Sequence, residues 1–332
     1  MPHRALANPR NRTAAVGIAA VGVAVAAAVA VFVVAFAWPA VNLAPRDLPI
    51  GVVGPDPFVA AVEQKLDHAH PGGFTLARYA DAAAATEAIR DRDVYGAVVA
   101  GDPPTVLDAP AASPAVAQLL DGMAATLAGT PQTHATPVVA LAPDDPRGTG
   151  FAAGALPIVI GALLGGVASA LAFASARQRL AAAATAAVLA GLTAATVLHT
   201  WLGVLPGSFL AVAGVLALGL FAGSAFMVGA YSLLGKPGLG LGVLLIMVLG
   251  NPLSGATSAP ELLPTGWGAL GQWLPPGAMT TLLRSVAYFD GAGALQPTLV
   301  LTGWIALGLL LAALAGRPTR AAATRVDALV TT

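Results

Sequence analysis

The chain has no cysteine among its 332 residues, which excludes disulfides, thiolate metal sites and cysteine nucleophiles. Charge is nearly as scarce: 10% of residues are charged and 57% are hydrophobic, where soluble domains carry about 25% charge. Mean hydropathy is +0.79. A soluble two-domain protein is thereby excluded, and the lipid bilayer becomes the first expected partner. The 16 basic and 16 acidic residues cancel, so no nucleic-acid partner is expected.

Apolar runs do occur, and they are long. A helix rising 1.5 Å per residue needs about 20 residues to cross about 30 Å of hydrocarbon. Six runs meet that length, at 14–38, 151–174, 180–201, 208–234, 239–258 and 297–315. None contains Asp, Glu, Lys or Arg, as expected where an unpaired charge costs a few kcal/mol. The Ala35 to Ala37 stretch "AFA" has the form of a signal-peptidase site, but the run before it is longer than the 7 to 15 residues of a signal h-region. A retained first span is expected.

Charges lie outside these runs and are segregated. Arg4, Arg10 and Arg12 precede the first run, Arg177 and Arg179 separate the second from the third, Lys236 separates the fourth from the fifth, and Arg317, Arg320 and Arg325 follow the sixth. With six crossings all of these fall on one side, the cytoplasmic side by the excess of Lys and Arg there. Every acidic residue except Asp327 falls on the other side. The expected fold is therefore a polytopic α-helical membrane protein of six spans in the plasma (inner) membrane. Both termini, 1–13 and 316–332, are expected to be cytoplasmic.

Residues 39–150 break the pattern, with 13 acidic and 6 basic residues, a net of minus 7. They read as a small extracytoplasmic α/β domain between spans 1 and 2. "LPIGVVG", "FTLARYA" and "VYGAVVA" read as strands, and "PTVLDA" and "TPVVALA" as further strands. Helices are expected from Asp56-Pro57 as cap and first turn, from Asp81, and from Ser113-Pro114. Phe58, Val62, Leu66 and Ala69 recur on one face of the first; Val116, Leu120, Met123 and Leu127 do so in the last. No catalytic set is visible. His68 and His70 are two apart on a helix and do not face each other, so they and His134 read as solvated. Asp91/Asp93 and Asp144/Asp145 read as solvated turns and caps. No metal, cofactor or catalytic residue is expected.

The fifth run ends unusually, in "NPLSGATSAPELLPTGWGALGQWLPPG" from Asn251. Pro252 removes a backbone donor and Asn251 favours a turn, so the helix bends or stops there. Freed backbone groups at membrane depth are tolerated only when buried in protein or lining a cavity. Residues 259–296 then read as a re-entrant or interfacial hairpin, either a passive anchor or an outer gate, with candidates Asn251, Pro252, Glu261, Trp267, Trp273 and Arg284. Trp38, Trp201, Trp267 and Trp273 read as one outer aromatic belt. His199, beside Trp201, reads as an interfacial anchor. Gly161/Gly165 and Gly219/Gly223 are small-residue pairs suited to close helix packing.

One spanning helix, a large insert, five closely spaced spans and the stretches "RDVYGAVVAG", "ALPIVIGALLGG", "NPLSG" and "WLPPGAMTTLLRSVAYFDG" resemble the phage-infection-protein-like (YhgE/Pip) group, itself similar to type-2 ABC exporter permeases. The resemblance implies a homodimer or heterodimer with a path between six-helix halves, driven by an ATP-binding subunit in trans. It implies a permease moving an amphiphilic substrate outward, with Arg177, Arg179 and Lys236 as candidate ATPase contacts. No phosphate-cradling G-x-x-x-x-G-K-[ST] loop is present, since "GAYSLLGKP" has the wrong spacing. The chain is therefore expected not to be an enzyme. The alternative is a non-transporting scaffold or receptor whose acidic ectodomain binds an envelope or secretion partner.

Overall fold

The computed structural model describes residues 9–129 and 131–315. The expectations for Arg4, Arg317, Arg320, Arg325, Asp327 and the tail 316–332 concern residues outside that range. The described chain is mostly helical, and five of its helices are long and apolar enough to cross a membrane. These lie in α1 (Pro9–Val41), α5 (Thr149–Ala172), α6 (Ala176–Ala195) with its π-helical extension Thr196–Trp201, α7 (Phe209–Leu234) and α11 (Leu295–Ala315).

α7 is the axis of the bundle. Over its apolar window 61% of residues are buried, and α5, α6 and α11 all pack against it. Small residues make this possible, because lipid tails are as apolar as leucine and backbones must approach closely to gain packing energy. A methyl group at Gly229 would collide with the Gly308 carbonyl oxygen, and one at Gly191 would come within 2.7 Å of the Ala217 amide nitrogen. The two predicted glycine pairs also serve contacts within the chain. Gly223 faces Ala162 and Ile246, Gly219 lies under Met279, and Gly161 faces Leu220.

The fifth apolar run behaves differently from the expected span at 239–258. It is helical only from Lys236 to Gly250, as α8 (Lys236–Val243) plus seven π-helical residues, Leu244–Gly250. That is about 22 Å at 1.5 Å per residue, short of the hydrocarbon thickness. α8 runs antiparallel to α7, with Gly238 against Ala230, Gly242 against Met227 and Gly223 against Ile246. The helix consequently stops beside the middle of α7, where Gly250 meets Pro276.

Between α1 and α5 lies a five-stranded sheet in the order β2-β1-β3-β4-β5. Its strands are β1 (Leu48–Val53), β2 (Phe74–Arg78), β3 (Gly96–Val99), β4 (Thr105–Asp108) and β5 (Thr136–Pro137). β1 is parallel to β2 and β3, β3 is antiparallel to β4, and β4 is parallel to β5. The helices α2 (Asp56–Ala69), α3 (Ala82–Arg90) and α4 (Pro114–Ala128) accompany it. The Asp81 and Ser113 side chains accept from the Ala84 and Val116 amides and cap α3 and α4. Asp56 is not the cap expected of it, since Pro55 occupies that position and Asp56 begins the first turn. β5 spans only two residues of the expected strand. In α2 the buried positions are Val59, Val62 and Leu66, a face rotated slightly from the expected one. Asp145 also departs from a solvated reading: it is 5% exposed, and its carboxylate accepts from the Gly150 and Phe151 amides at the start of α5.

The apolar clusters of this unit are completed by distant residues. Ala259 and Leu262 pack with Leu48, Ile50 and Leu120, and Phe289 packs with Ala85 and Ile89. All three come from the segment after the broken helix.

Candidate functional site

From Gly250 the chain leaves helical geometry and folds back on itself. After a 3-10 turn at Pro260–Leu262 come α9 (Trp267–Gln272) and α10 (Pro275–Tyr288). α9 and α10 form a hairpin of which α10 is the buried arm. It packs on α7 and α11, with Met279 against Gly219 and the Ala287 carbonyl oxygen near Gly207. α10 thus starts beside the middle of α7 and climbs antiparallel to it toward the end where α7 begins.

The backbone groups freed by the break are satisfied by named side chains. Arg284, 4% exposed, donates Nη1 to the Gly255 carbonyl at 3.1 Å and Nη2 to that of Ala256 at 2.9 Å, and lies 4.9 Å over the Phe151 ring. Gln272 Nε2 donates to the Ser254 carbonyl, and Ser254 Oγ to that of Asn251. Ser113 Oγ, from the start of α4, donates to the Ser258 carbonyl at 2.9 Å. Irregular backbone is acceptable at membrane depth under this condition of burial and pairing.

The same segment is the seat of the sheet unit. Tyr95 donates its hydroxyl to Glu261 Oε2 at 2.8 Å. Arg92 donates Nη1 to Ser285 Oγ at 2.8 Å and to the Thr281 carbonyl at 3.2 Å, stacking 5.0 Å over Phe289. Arg46, just past α1, donates to the Leu262 and Leu263 carbonyls at 2.9 Å. Arg92 has φ +67°, in the left-handed region rarely used by a side-chain-bearing residue. The residue lies two positions past the end of α3, and its guanidinium reaches the hairpin. Burial, with Glu261 nearby, raises the Tyr95 phenol well above its ordinary value, so it stays a donor; burial lowers that of Arg92, against the opposing pull of Tyr95 and Glu261.

The predicted residues separate into two places. Glu261 and Arg284 line a cavity of about 450 Å³ between the sheet unit and the hairpin, with Arg46, Arg92, Tyr95 and Gln272. Asn251 and Pro252 line a second cleft of about 280 Å³ against α1 and α5. Trp267 packs against Trp38 with ring centroids 4.7 Å apart and the ring planes tilted by 58°. Trp273 does not share their level. Its carbonyl accepts from Trp304 Nε1 at 2.8 Å, and Trp304 is midway along α11, so the expected single belt is split. At the opposite end of the bundle Arg177 and Lys236 are exposed, while Arg179 is folded back to the Phe173 carbonyl and over the Tyr231 ring. His199 binds the Leu205 carbonyl at 2.7 Å and pins the turn into α7. His68, His70, His134, Asp91 and Asp93 are exposed, and no metal-binding group of three occurs among the described residues.

Sequence reasoning did not single out Arg92, Tyr95 or Ser113 as partners of the hairpin, nor Ser285 within it. The signal available was "RDVYGAVVAG", a charged and aromatic start to a strand otherwise built for burial. No protein-family model, curated protein or solved structure matches the chain.

Proposed function

We propose that the chain is a permease-like subunit of a type-2 ABC-type exporter, moving an amphiphilic substrate outward with a separate ATPase. In this reading it sits in the plasma (inner) membrane with both termini cytoplasmic, as the charge segregation indicates. The sheet unit is an extracytoplasmic cap inserted after the first span. The helix Lys236–Gly250 and the irregular residues after it together make a sixth crossing. One observation supports the reading: a helix breaks at Gly250, the hairpin after it packs on α7 and α11, and its carbonyls are paired to Arg284 and to Ser113 of the cap. Such backbone at membrane depth characterises substrate paths more than passive anchors. Movement of the cap would pull on the hairpin through Tyr95–Glu261 and Arg92–Ser285, which makes the hairpin an outer gate.

A second reading is favoured by the other end of the bundle. Only three residues separate α5 from α6, and one separates α7 from α8, leaving Arg177 and Lys236 as the exposed basic contacts there among the described residues. That is a small surface for an ATPase, and a non-transporting scaffold would need none. A mild-detergent pull-down from native membranes, with mass spectrometry and an ATPase assay, separates the two. The exporter reading predicts a stoichiometric nucleotide-binding subunit whose activity changes with Arg177→Glu or Lys236→Glu. Recovery of envelope proteins without ATPase activity would refute it in favour of the scaffold.

A further inference from the structure

The cavity between cap and hairpin holds an imbalance of charge. Arg92 and Arg284 both line it, and every hydrogen bond they make is to a neutral carbonyl or hydroxyl. Among the described residues the ion pairs are Arg78–Asp56, Arg90–Glu87 and His134–Asp121, so no carboxylate lies within 4.0 Å of either guanidinium. Two carboxylates, Asp47 and Glu261, line the cavity against three guanidiniums, Arg46, Arg92 and Arg284, and the Oε2 of Glu261 is taken by Tyr95. Arg92 and Arg284 thus have no carboxylate as a direct partner, in a place where buried charge ordinarily requires one. A guanidinium carries five N–H donors, and Nε and Nη2 of Arg92 donate to nothing among the described residues.

The mouth of the cavity supplies the second half of the argument. Its exposed rim includes Thr265, Ala269 and Gln296. Their sequence neighbours Leu270, at 52% exposure, and Leu295, at 73%, are apolar and open, as is Leu299 one turn along α11 from Gln296. A charged recess that opens beside apolar side chains matches a molecule with an anionic head and a hydrocarbon tail.

We propose that this cavity binds the anionic headgroup, phosphate or carboxylate, of an amphiphile, with Arg92 and Arg284 as its cationic partners and Gln296 at the rim. The volume of about 450 Å³ is in the range of small-molecule sites. The forked donors of arginine suit a two-oxygen anion. This deepens the exporter reading by giving the class of its substrate and rests on that reading for the word substrate, although the binding site itself does not.

The test is a fluorescence titration of the full-length protein in neutral detergent with dihexanoyl-phosphatidylglycerol, dihexanoyl-phosphatidylcholine and inorganic phosphate. The phosphatidylglycerol is expected to bind at least about tenfold more tightly than the phosphatidylcholine, whose phosphodiester carries the same charge but brings a choline cation up to the two arginines. Arg92→Gln should weaken it about tenfold, and Glu261→Gln, which removes one of the two lining carboxylates, should tighten it. Because Arg284 also holds the broken backbone, Arg92→Gln and Glu261→Gln carry the test, their opposite signs being something mere loss of folding cannot produce. Equal binding of the two lipids, or no effect of Arg92→Gln, overturns the proposal. Tighter binding of inorganic phosphate than of the phosphatidylglycerol overturns the amphiphile in favour of a free anion. The titration needs neither ATPase nor transport, so lipid binding without a copurifying ATPase keeps the site and removes the exporter reading.

Discussion

Over its apolar window α1 has a mean hydropathy of 2.8, above the other four long helices, yet only 6% of that window is buried within the protein. α10 carries Arg284, Ser285, Thr280 and Thr281, and eleven of its fourteen residues are buried. In water the ranking would be reversed, because burial there follows apolar area. In a bilayer an apolar helix gains nothing by leaving lipid for protein, whereas a polar one must find partners. The difference teaches that hydropathy in this chain locates lipid contact, while small and polar residues locate the packed interior.

The comparison can be broken most directly with glycine. Gly229→Leu forces a side chain into the Gly308 backbone and should cost about 4 kcal/mol or more, an overpacking effect at the extreme of its range. Gly22→Leu in α1 meets nothing within 4 Å and should change thermal stability in detergent by no more than about 0.5 kcal/mol. Similar losses in the two variants would erase the distinction between lipid-facing and packed helices.

Arg284→Ala is next, at about 3 kcal/mol, because it strands the Gly255 and Ala256 carbonyls. Arg284→Lys should recover only part, since an ammonium cannot fork to both. Increased proteolysis within 251–266 in the Ala variant is the expected readout.

Asp108 tests burial of a polar group outside the bundle. It is 3% exposed, with Oδ1 unpartnered among the described residues. Burial first and the Asp121 carboxylate second push it up to about 6 from 3.8. A carboxyl raised in the folded state binds its proton more tightly there than when unfolded. Its contribution is thus greatest below about pH 4, falls as pH rises to about 6 and is level above, a change of up to about 3 kcal/mol. Melting curves of the wild type should show that decline, and Asp108→Asn should flatten it.

Tyr95→Phe is the smallest of the expected losses, about 1 kcal/mol for one hydrogen bond to Glu261, with Gly22→Leu as the near-neutral reference. Its readout is faster hydrogen exchange in both 93–99 and 260–266, since the bond joins those segments. Exchange confined to one of them would show that cap and hairpin are not coupled there.

Much of the helical architecture was legible because long charge-free runs have few alternatives. The caps at Asp81 and Ser113 were legible because their signals are local. The length of the fifth helix was not. Asn251-Pro252 marked the break, but residues 251–258 carry no charge and extend a long apolar run, and it is tertiary contacts with Arg284, Gln272 and Ser113 that hold them in irregular form. The depth of α10 was hidden for a related reason: Arg284 and three tryptophan or tyrosine rings around it read as interfacial in sequence, while the structure pairs the arginine with backbone carbonyls 28 and 29 residues away. Partners of Arg92 and Tyr95 lie 189, 193 and 166 residues away, beyond any spacing rule.

The central claim is that the short helix Lys236–Gly250 and the segment after it carry the chain across the membrane to a re-entrant hairpin on the outer side. The cysteine-free sequence allows a direct test with single cysteines placed at Arg177, Lys236, Thr265 and Asp290 and a membrane-impermeant maleimide. In sealed right-side-out membranes Thr265→Cys and Asp290→Cys should react at once, and Arg177→Cys and Lys236→Cys only after permeabilisation. Reaction of Lys236→Cys and Thr265→Cys from the same side would contradict the account.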